Sequence, residues 1–224
     1  EPFEPLLPGA VFAPSARCHC CELGLKRKDC GLGCLKQMEK LFEWEKPETV
    51  AAVIMDPIPG SNVGYPLPPD GYLEGVRELC DRYGILLIFD EVQTGFGRTG
   101  RWFACEHWGV APDIMTLGKG LTGGYMPLGV AMTTPRVYRA FRKAGSELRS
   151  GSTDGGHTTA CATTLANIGI IEREGLVERA RTTGRRIGER LGKLRANPLV
   201  KDVRGIGMLW AVELEADGKT GGRI

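Results

Sequence analysis

Apolar positions fall into three patterns along this chain: short solid runs, helical stripes and one alternating segment. The solid runs are "TVAAVIM" (49–55), "ILLIF" (85–89), "DIMTL" (113–117) and "LGVAM" (128–132), each short enough to read as a buried strand. Two stripes at helical spacing lie between them. In "CLKQMEKLFEWE", Leu35, Met38, Leu41 and Phe42 share a face, and Pro47 ends the helix. In "GYLEGVRELCDRY", the face is Leu73, Val76, Leu79 and Cys80, with Asp70 as N-cap and Gly84 as stop. From Ala160 the pattern turns helical through Leu165, Ile168 and Ile171, breaks near Gly175, and resumes with Leu176, Ala180, Ile187, Leu191 and Leu194. After Pro198, "IGMLWAVEL" alternates and predicts one half-buried strand with Ile206, Met208, Trp210, Val212 and Leu214 on one side.

Strands separated by helices or long loops predict an α/β domain with a mainly parallel sheet. The alternating segment predicts the start of a second, antiparallel-type unit. The division expected is a large domain over 1–159, whose first 34 residues form a proline- and cysteine-bearing loop, and a connecting helix plus the start of a small α+β domain over 160–224. The chain opens on Glu1 and closes just after the turn-like "DGKTGG", so a piece of a longer protein is expected.

Charge and composition narrow the function classes. With 29 basic and 27 acidic residues the net charge is +2, which offers no field for nucleic acid or membrane. The basic run "RARTTGRRIGERLGKLR" reads as a solvated helix face. No apolar stretch is long enough for a bilayer and no signal-peptide pattern is present, so the expectation is a cytoplasmic protein. Of eight cysteines, Cys18, Cys20, Cys21, Cys30 and Cys34 crowd into "CHCCELGLKRKDCGLGC". Their C-x2-C and C-x3-C spacings admit zinc or a disulfide, but a loop of reduced thiols without metal is the simpler expectation.

Three motif readings fail. "LLIFDE" has the form of a nucleotide-hydrolase strand, yet "TLGKGLT" places Gly120 where the phosphate loop needs Ser or Thr. "GFGRTG" is formally G-x-G-x-x-G but no helix pattern starts at Gly100. No G-x-S-x-G occurs, and the sequence pairs none of the three histidines with a particular Ser or Cys as a catalytic dyad.

What remains is Asp90 at the end of one strand and Lys119, between Gly118 and Gly120, at the end of the next. In parallel sheets, ligands collect beyond the carboxyl ends of the strands. A sheltered lysine can lose its proton and attack a carbonyl. Pyridoxal phosphate requires such a lysine for its aldehyde and an acid facing its ring nitrogen, and a pyridinium would give the buried Asp90 a charge partner.

The block "IFDEVQTGFGRTGRWFACEHWGVAPDIMTLGKGLTGGYMPLG" resembles the signature of the class III (omega-type) aminotransferases, with further similarity in "PPDGYLEGVRELCDRYGILL", "GSTDGGHTTACATTLANIGIIEREGLVERA" and "VRGIGMLWAVEL". The resemblance implies a fold-type I enzyme: a three-layer sandwich around a mainly parallel sheet, dependent on pyridoxal phosphate. It implies Lys119 as the Schiff-base lysine, Asp90 as the pyridinium partner, Val92 against the ring, Gln93 on the ring hydroxyl, and Thr153 reaching a neighbouring subunit's cofactor phosphate. A homodimer or higher assembly follows from the last.

The implied reaction moves an amino group from an amine or omega-amino acid to a keto acid such as pyruvate, by a ping-pong mechanism. The alternatives are a lyase or aminomutase with the same constellation, or an inactive interaction module. Three positions depart from the family pattern: Asp56 where Glu is usual, Asp154 where an aromatic is common, and Thr158 in place of proline.

Overall fold

The four apolar runs assemble into one sheet because each can bury a face only against its neighbours. The computed structural model describes residues 5, 7–142 and 147–215; the "DGKTGG" turn lies outside the described residues. Strands β1 (Ala52–Met55), β2 (Leu86–Asp90), β3 (Ile114–Leu117) and β4 (Val130–Thr133) lie in that order across the sheet. The first three are parallel and β4 runs antiparallel to β3. The architecture is mixed α/β with a mainly parallel central sheet.

Parallel neighbours need a crossover, and between β1 and β2 it is α2 (Tyr72–Tyr83). Its stripe of Leu73, Val76, Leu79 and Cys80 is buried against Leu87 and Phe89 of β2 and Met115 and Leu117 of β3. Helix α1 (Gly33–Glu45) adds Met38 and Phe42 to the same core. Asp113, at the foot of β3, accepts from the Leu87 amide at 2.9 Å and from Arg77 at 3.0 Å, tying β2 and α2 together.

Beyond the sheet come α3 (Pro135–Arg142), α4 (Thr158–Arg173) and α5 (Leu176–Gly192), then a hairpin of β5 (Val200–Ile206) and β6 (Leu209–Leu214). His157 caps α4 by accepting from the Ala160 amide at 3.4 Å, and Gly175, at φ 59°, separates α4 from α5. The arginines of α5 lie on its exposed side, as the basic run predicts.

Four expectations are corrected. Asp70 is not the cap of α2: Gly71, in the left-handed region at φ 78°, is the N-cap residue and no side chain caps the helix. β1 is shorter than its apolar run because Thr49 closes a turn over Pro47–Thr49. Leu165 is 72% exposed rather than part of a buried stripe with Ile171. "IGMLWAVEL" is not one strand but the last residue of β5, the turn and β6 of the hairpin. Gly207, at φ 55°, makes the turn, and Arg204 pairs with Glu213 at 2.6 Å while Val212 and Leu214 are exposed. Helix α3 is an element the apolar pattern does not predict.

The hairpin and α5 grip the loop that follows β2. Met208 donates its amide to the Arg98 carbonyl at 2.9 Å. A β-carbon on Gly100 would lie 2.9 Å from Arg181 Cα, so this glycine lets α5 close on the loop. Gly97 and Gly100 of "GFGRTG" therefore serve a helix contact, a β-carbon on each meeting Val177 or Arg181 of α5, in keeping with the absence of a helix starting at Gly100.

Candidate active site

Asp56, Asp90 and Lys119 come together because three parallel strands end side by side. Met55 pairs with Phe89 and Asp90 with Thr116, so the next residue of β1's chain is Asp56, level with Asp90. Two residues beyond Leu117, the end of β3, is Lys119. The electrostatics agree with the register. Burial and then the charge of Asp90 push the Asp56 carboxyl above the ordinary carboxylate range, while the Gly60 amide and the Lys119 ammonium act against that rise.

Asp90 and Glu91 are consecutive carboxylates with different surroundings. Asp90 accepts from the Val92 amide at 2.9 Å, on the rim of the sheet. Glu91 is fully buried and accepts from Thr94 Oγ1 at 2.6 Å and from the Ala104 and Cys105 amides, each at 2.8 Å. These amides open a short helical turn over Ala104–His107, where orphan N–H groups favour an anion. Glu91 thus closes the loop from 91 to 105 and keeps Asp90 at its mouth.

Val92 and Gln93 extend from the same turn. The Val92 side chain lies beside Gly118, where a β-carbon would be 3.4 Å from Val92 Cγ1. Gln93 packs on Gly60, where a β-carbon would lie 2.6 Å from its Nε2. Gly60 therefore connects Asp56 to Gln93, since its amide also favours the ionised Asp56.

Lys119 opens a short helical turn over Lys119–Leu121, with a left-handed φ of 42° that few non-glycine residues adopt. Three bonds hold it there. Leu121 donates to the Gly118 carbonyl at 2.9 Å, and Asn167 of α4 donates to the carbonyls of Gly120 at 2.8 Å and Leu121 at 3.1 Å. Lys119 itself is exposed in this chain rather than sheltered as the sequence reading expects. Thr116, paired with Asp90 in register, carries a buried hydroxyl without a hydrogen-bond partner among the described residues.

The structure thus brings Asp90, Val92, Gln93 and Lys119 to one rim. Thr153 stays apart, in an exposed turn where Gly155 donates to Ser152 at 3.0 Å. Sequence reasoning did not select Glu91, Asn167 or Gly60. Glu91 carries a signal, a second carboxylate after an apolar run, but nothing to say which of the two turns inward. Asn167 is one polar residue in an apolar stretch, and its partners lie 47 and 46 residues away.

Comparison with known proteins covers the same residues. The family model described as aminotransferase class-III matches residues 1–223. A probable aminotransferase of Mycobacterium tuberculosis is 41% identical over 98% of this chain and 47% of its own. The taurine–pyruvate aminotransferase of Bilophila wadsworthia is 39% identical over 97% of this chain and 48% of its own. Among solved structures, an (S)-enantioselective omega-transaminase from Thermomicrobium roseum superposes with a TM-score of 0.91 at 36% identity, over all of this chain and 50% of its own. The omega transaminase of Pseudomonas jessenii in complex with PMP gives 0.88 at 35% identity, over 95% of this chain and 48% of its own. The chain spans about half the length of the curated relatives it matches.

Proposed function

The chain belongs to the class-III aminotransferases, and from that premise we propose that its protein transfers an amino group from an amine or omega-amino acid to a keto acid such as pyruvate, using pyridoxal phosphate. One observation carries the reading: the ends of three parallel strands place a lysine and a carboxylate on one rim, with a second carboxylate beside them.

The residues fit the cofactor. Lys119 offers an amine to its aldehyde, Asp90 an anion to its ring nitrogen, Val92 an apolar contact to its ring, and Gln93 an amide to its ring hydroxyl. The Thr116 hydroxyl, buried without a partner beside Asp90, adds a polar group to the same rim. When bound, pyridoxal phosphate supplies an electron-accepting ring that takes up the pair left when a Cα–H bond breaks.

The chain's own residues do the rest. Lys119 Nζ removes the proton from the donor's Cα in the first half of a ping-pong cycle and returns one to the acceptor's carbon in the second. Its turn is fixed by Asn167, so the amine swings on a stationary backbone. Asp90 is held by the Val92 amide and kept at the rim by the buried Glu91. Burial and the charge of Asp90 raise the carboxyl of the neighbouring Asp56, and Lys119 acts against that rise.

A homodimer belongs to the same proposal. Thr153 is exposed and no hydrogen bond joins it to the Asp90–Lys119 rim among the described residues, which supports a role for it on a partner's cofactor. Tyr125, 84% exposed, and Leu165 add apolar surface for such contact. We keep the division at 159/160, supported by the change from sheet to helices and hairpin. Eight free thiols support a reducing, cytoplasmic setting, and no helix among the described residues is long and apolar enough to cross a membrane.

Borohydride reduction in the presence of pyridoxal phosphate tests the reading. The expected result is a pyridoxyl label on the Lys119 peptide, lost in Lys119→Ala, and amine-dependent conversion of pyruvate to alanine. A label confined to other lysines of the folded full chain would overturn it.

A further inference from the structure

The cysteine-rich loop, independent of the chemistry at Lys119, holds an arrangement that the spacing alone does not establish. Cys18, Cys21, Cys30 and Cys34 all line one void of about 20 Å³, together with Arg17 and Arg27. That volume suits one atom-sized occupant, since a single water needs about 10–15 Å³. The fifth cysteine of the cluster, Cys20, is outside the lining: it is exposed, with its sulfur 3.3 Å from His19 Nε2.

We propose that Cys18, Cys21, Cys30 and Cys34 bind one thiophilic divalent cation of the zinc class, closing the loop over 18–34 onto the N-terminus of α1.

Several features prepare this. Cys34 sits in the first turn of α1, where backbone N–H groups have no intrahelical partner. Such N–H groups compensate the charge of a ligating sulfur. Left-handed backbone at Gly31 (φ 48°) and Leu32 (φ 56°) turns the chain between Cys30 and Cys34. Four thiols exchange four protons for one dication, leaving two negative charges. Arg27 stands on the same lining to offset them, and Arg17, whose guanidinium is paired with Glu22, adds an Nε buried without a hydrogen-bond partner among the described residues.

The sulfurs are not a preformed ligand set: among the described residues no three His, Cys, Asp or Glu side chains stand as a metal site does. Between Ser15 and Leu32 the sole helical element is the short turn at Cys18–Cys20, so little regular structure resists drawing the sulfurs inward. Metal binding would thus be coupled to local ordering of this loop.

The test uses the full chain purified under reducing conditions. One equivalent of zinc is expected by elemental analysis. After its removal, Co²⁺ should restore the intense visible absorption of tetrahedral thiolate-bound cobalt. Zinc should protect Cys18, Cys21, Cys30 and Cys34 from maleimide while Cys20 and Cys161 stay reactive. Cys34→Ser should abolish the cobalt bands and Cys161→Ser should leave them. The wild-type labelling pattern does not depend on how the variants fold. Absence of a thiolate–cobalt band, zinc protection that does not select those four, or a disulfide within 18–34 in the isolated protein would each overturn the proposal.

Discussion

The Asn167 side chain, one turn from the apolar Ile171 of α4, donates to the Gly120 carbonyl at 2.8 Å and so anchors the backbone next to Lys119. This bond joins a helix after residue 157 to the end of a sheet strand, and it sets where the amine stands.

Asn167→Leu should therefore leave two carbonyls short of a donor and release the Lys119 turn. The expected loss is about 1–3 kcal/mol in chemical denaturation, with a slower borohydride trap at Lys119 than in the wild type. An unchanged trapping rate would remove Asn167 from the positioning of the amine.

Glu91→Ala strands the amides of Ala104 and Cys105 and the Thr94 hydroxyl in a buried place. A cost of about 3 kcal/mol or more is expected in urea unfolding, at roughly 1–3 kcal/mol for each unsatisfied group. Asp90→Ala removes a carboxylate from the rim, and its stability change should be smaller. Equal losses would contradict the division of labour between the two carboxylates.

Gly60→Ala and Gly207→Ala should fail in different ways. At Gly60 the new methyl meets the flexible end of Gln93, so stability should shift by less than about 1 kcal/mol. Cofactor affinity, read by fluorescence titration, should fall by about tenfold as the Gln93 amide is displaced. At Gly207 the methyl would lie 2.3 Å from the Thr99 carbonyl carbon, at φ 55°. Backbone cannot yield as a side chain does, and there the loss should appear in melting temperature.

Asp56 predicts a pH effect. Its folded carboxyl is raised, chiefly by burial and then by Asp90, so folding favours the neutral form. The favourable contribution is full below the unfolded carboxylate value of about 3.9 and is lost as pH rises through the higher folded value. Asp56→Asn, which keeps an acceptor for the Gly60 amide, should raise stability at neutral pH and have less effect in acid. Denaturation at two pH values checks it; stabilisation confined to the acid side would refute it.

Much of this was legible in the residues because it is local. The strand runs, the stripe of α2 and the break at Gly175 follow from backbone periodicity and glycine chemistry, which adjacent residues determine together. Asp90 and Lys119 were legible because each closes an apolar run at the end of a strand. The failed expectations include local shifts of a residue or two as well as contacts between segments distant in sequence. Asp70 loses the cap to Gly71, and "IGMLWAVEL" breaks into a hairpin because Gly207 must fit against Thr99.

The sequence by itself therefore determined the four sheet strands, helices α1, α2, α4 and α5, the family and the two principal groups of the rim, since these depend on side-chain type and short-range spacing. Only the tertiary structure decided that Glu91 turns inward while Asp90 stays at the mouth, that Asn167 steadies Lys119, and that four of five clustered cysteines share a void. Those choices depend on which hydrogen-bond donors and which volumes remain free after distant segments have packed, and one-dimensional spacing does not contain that information.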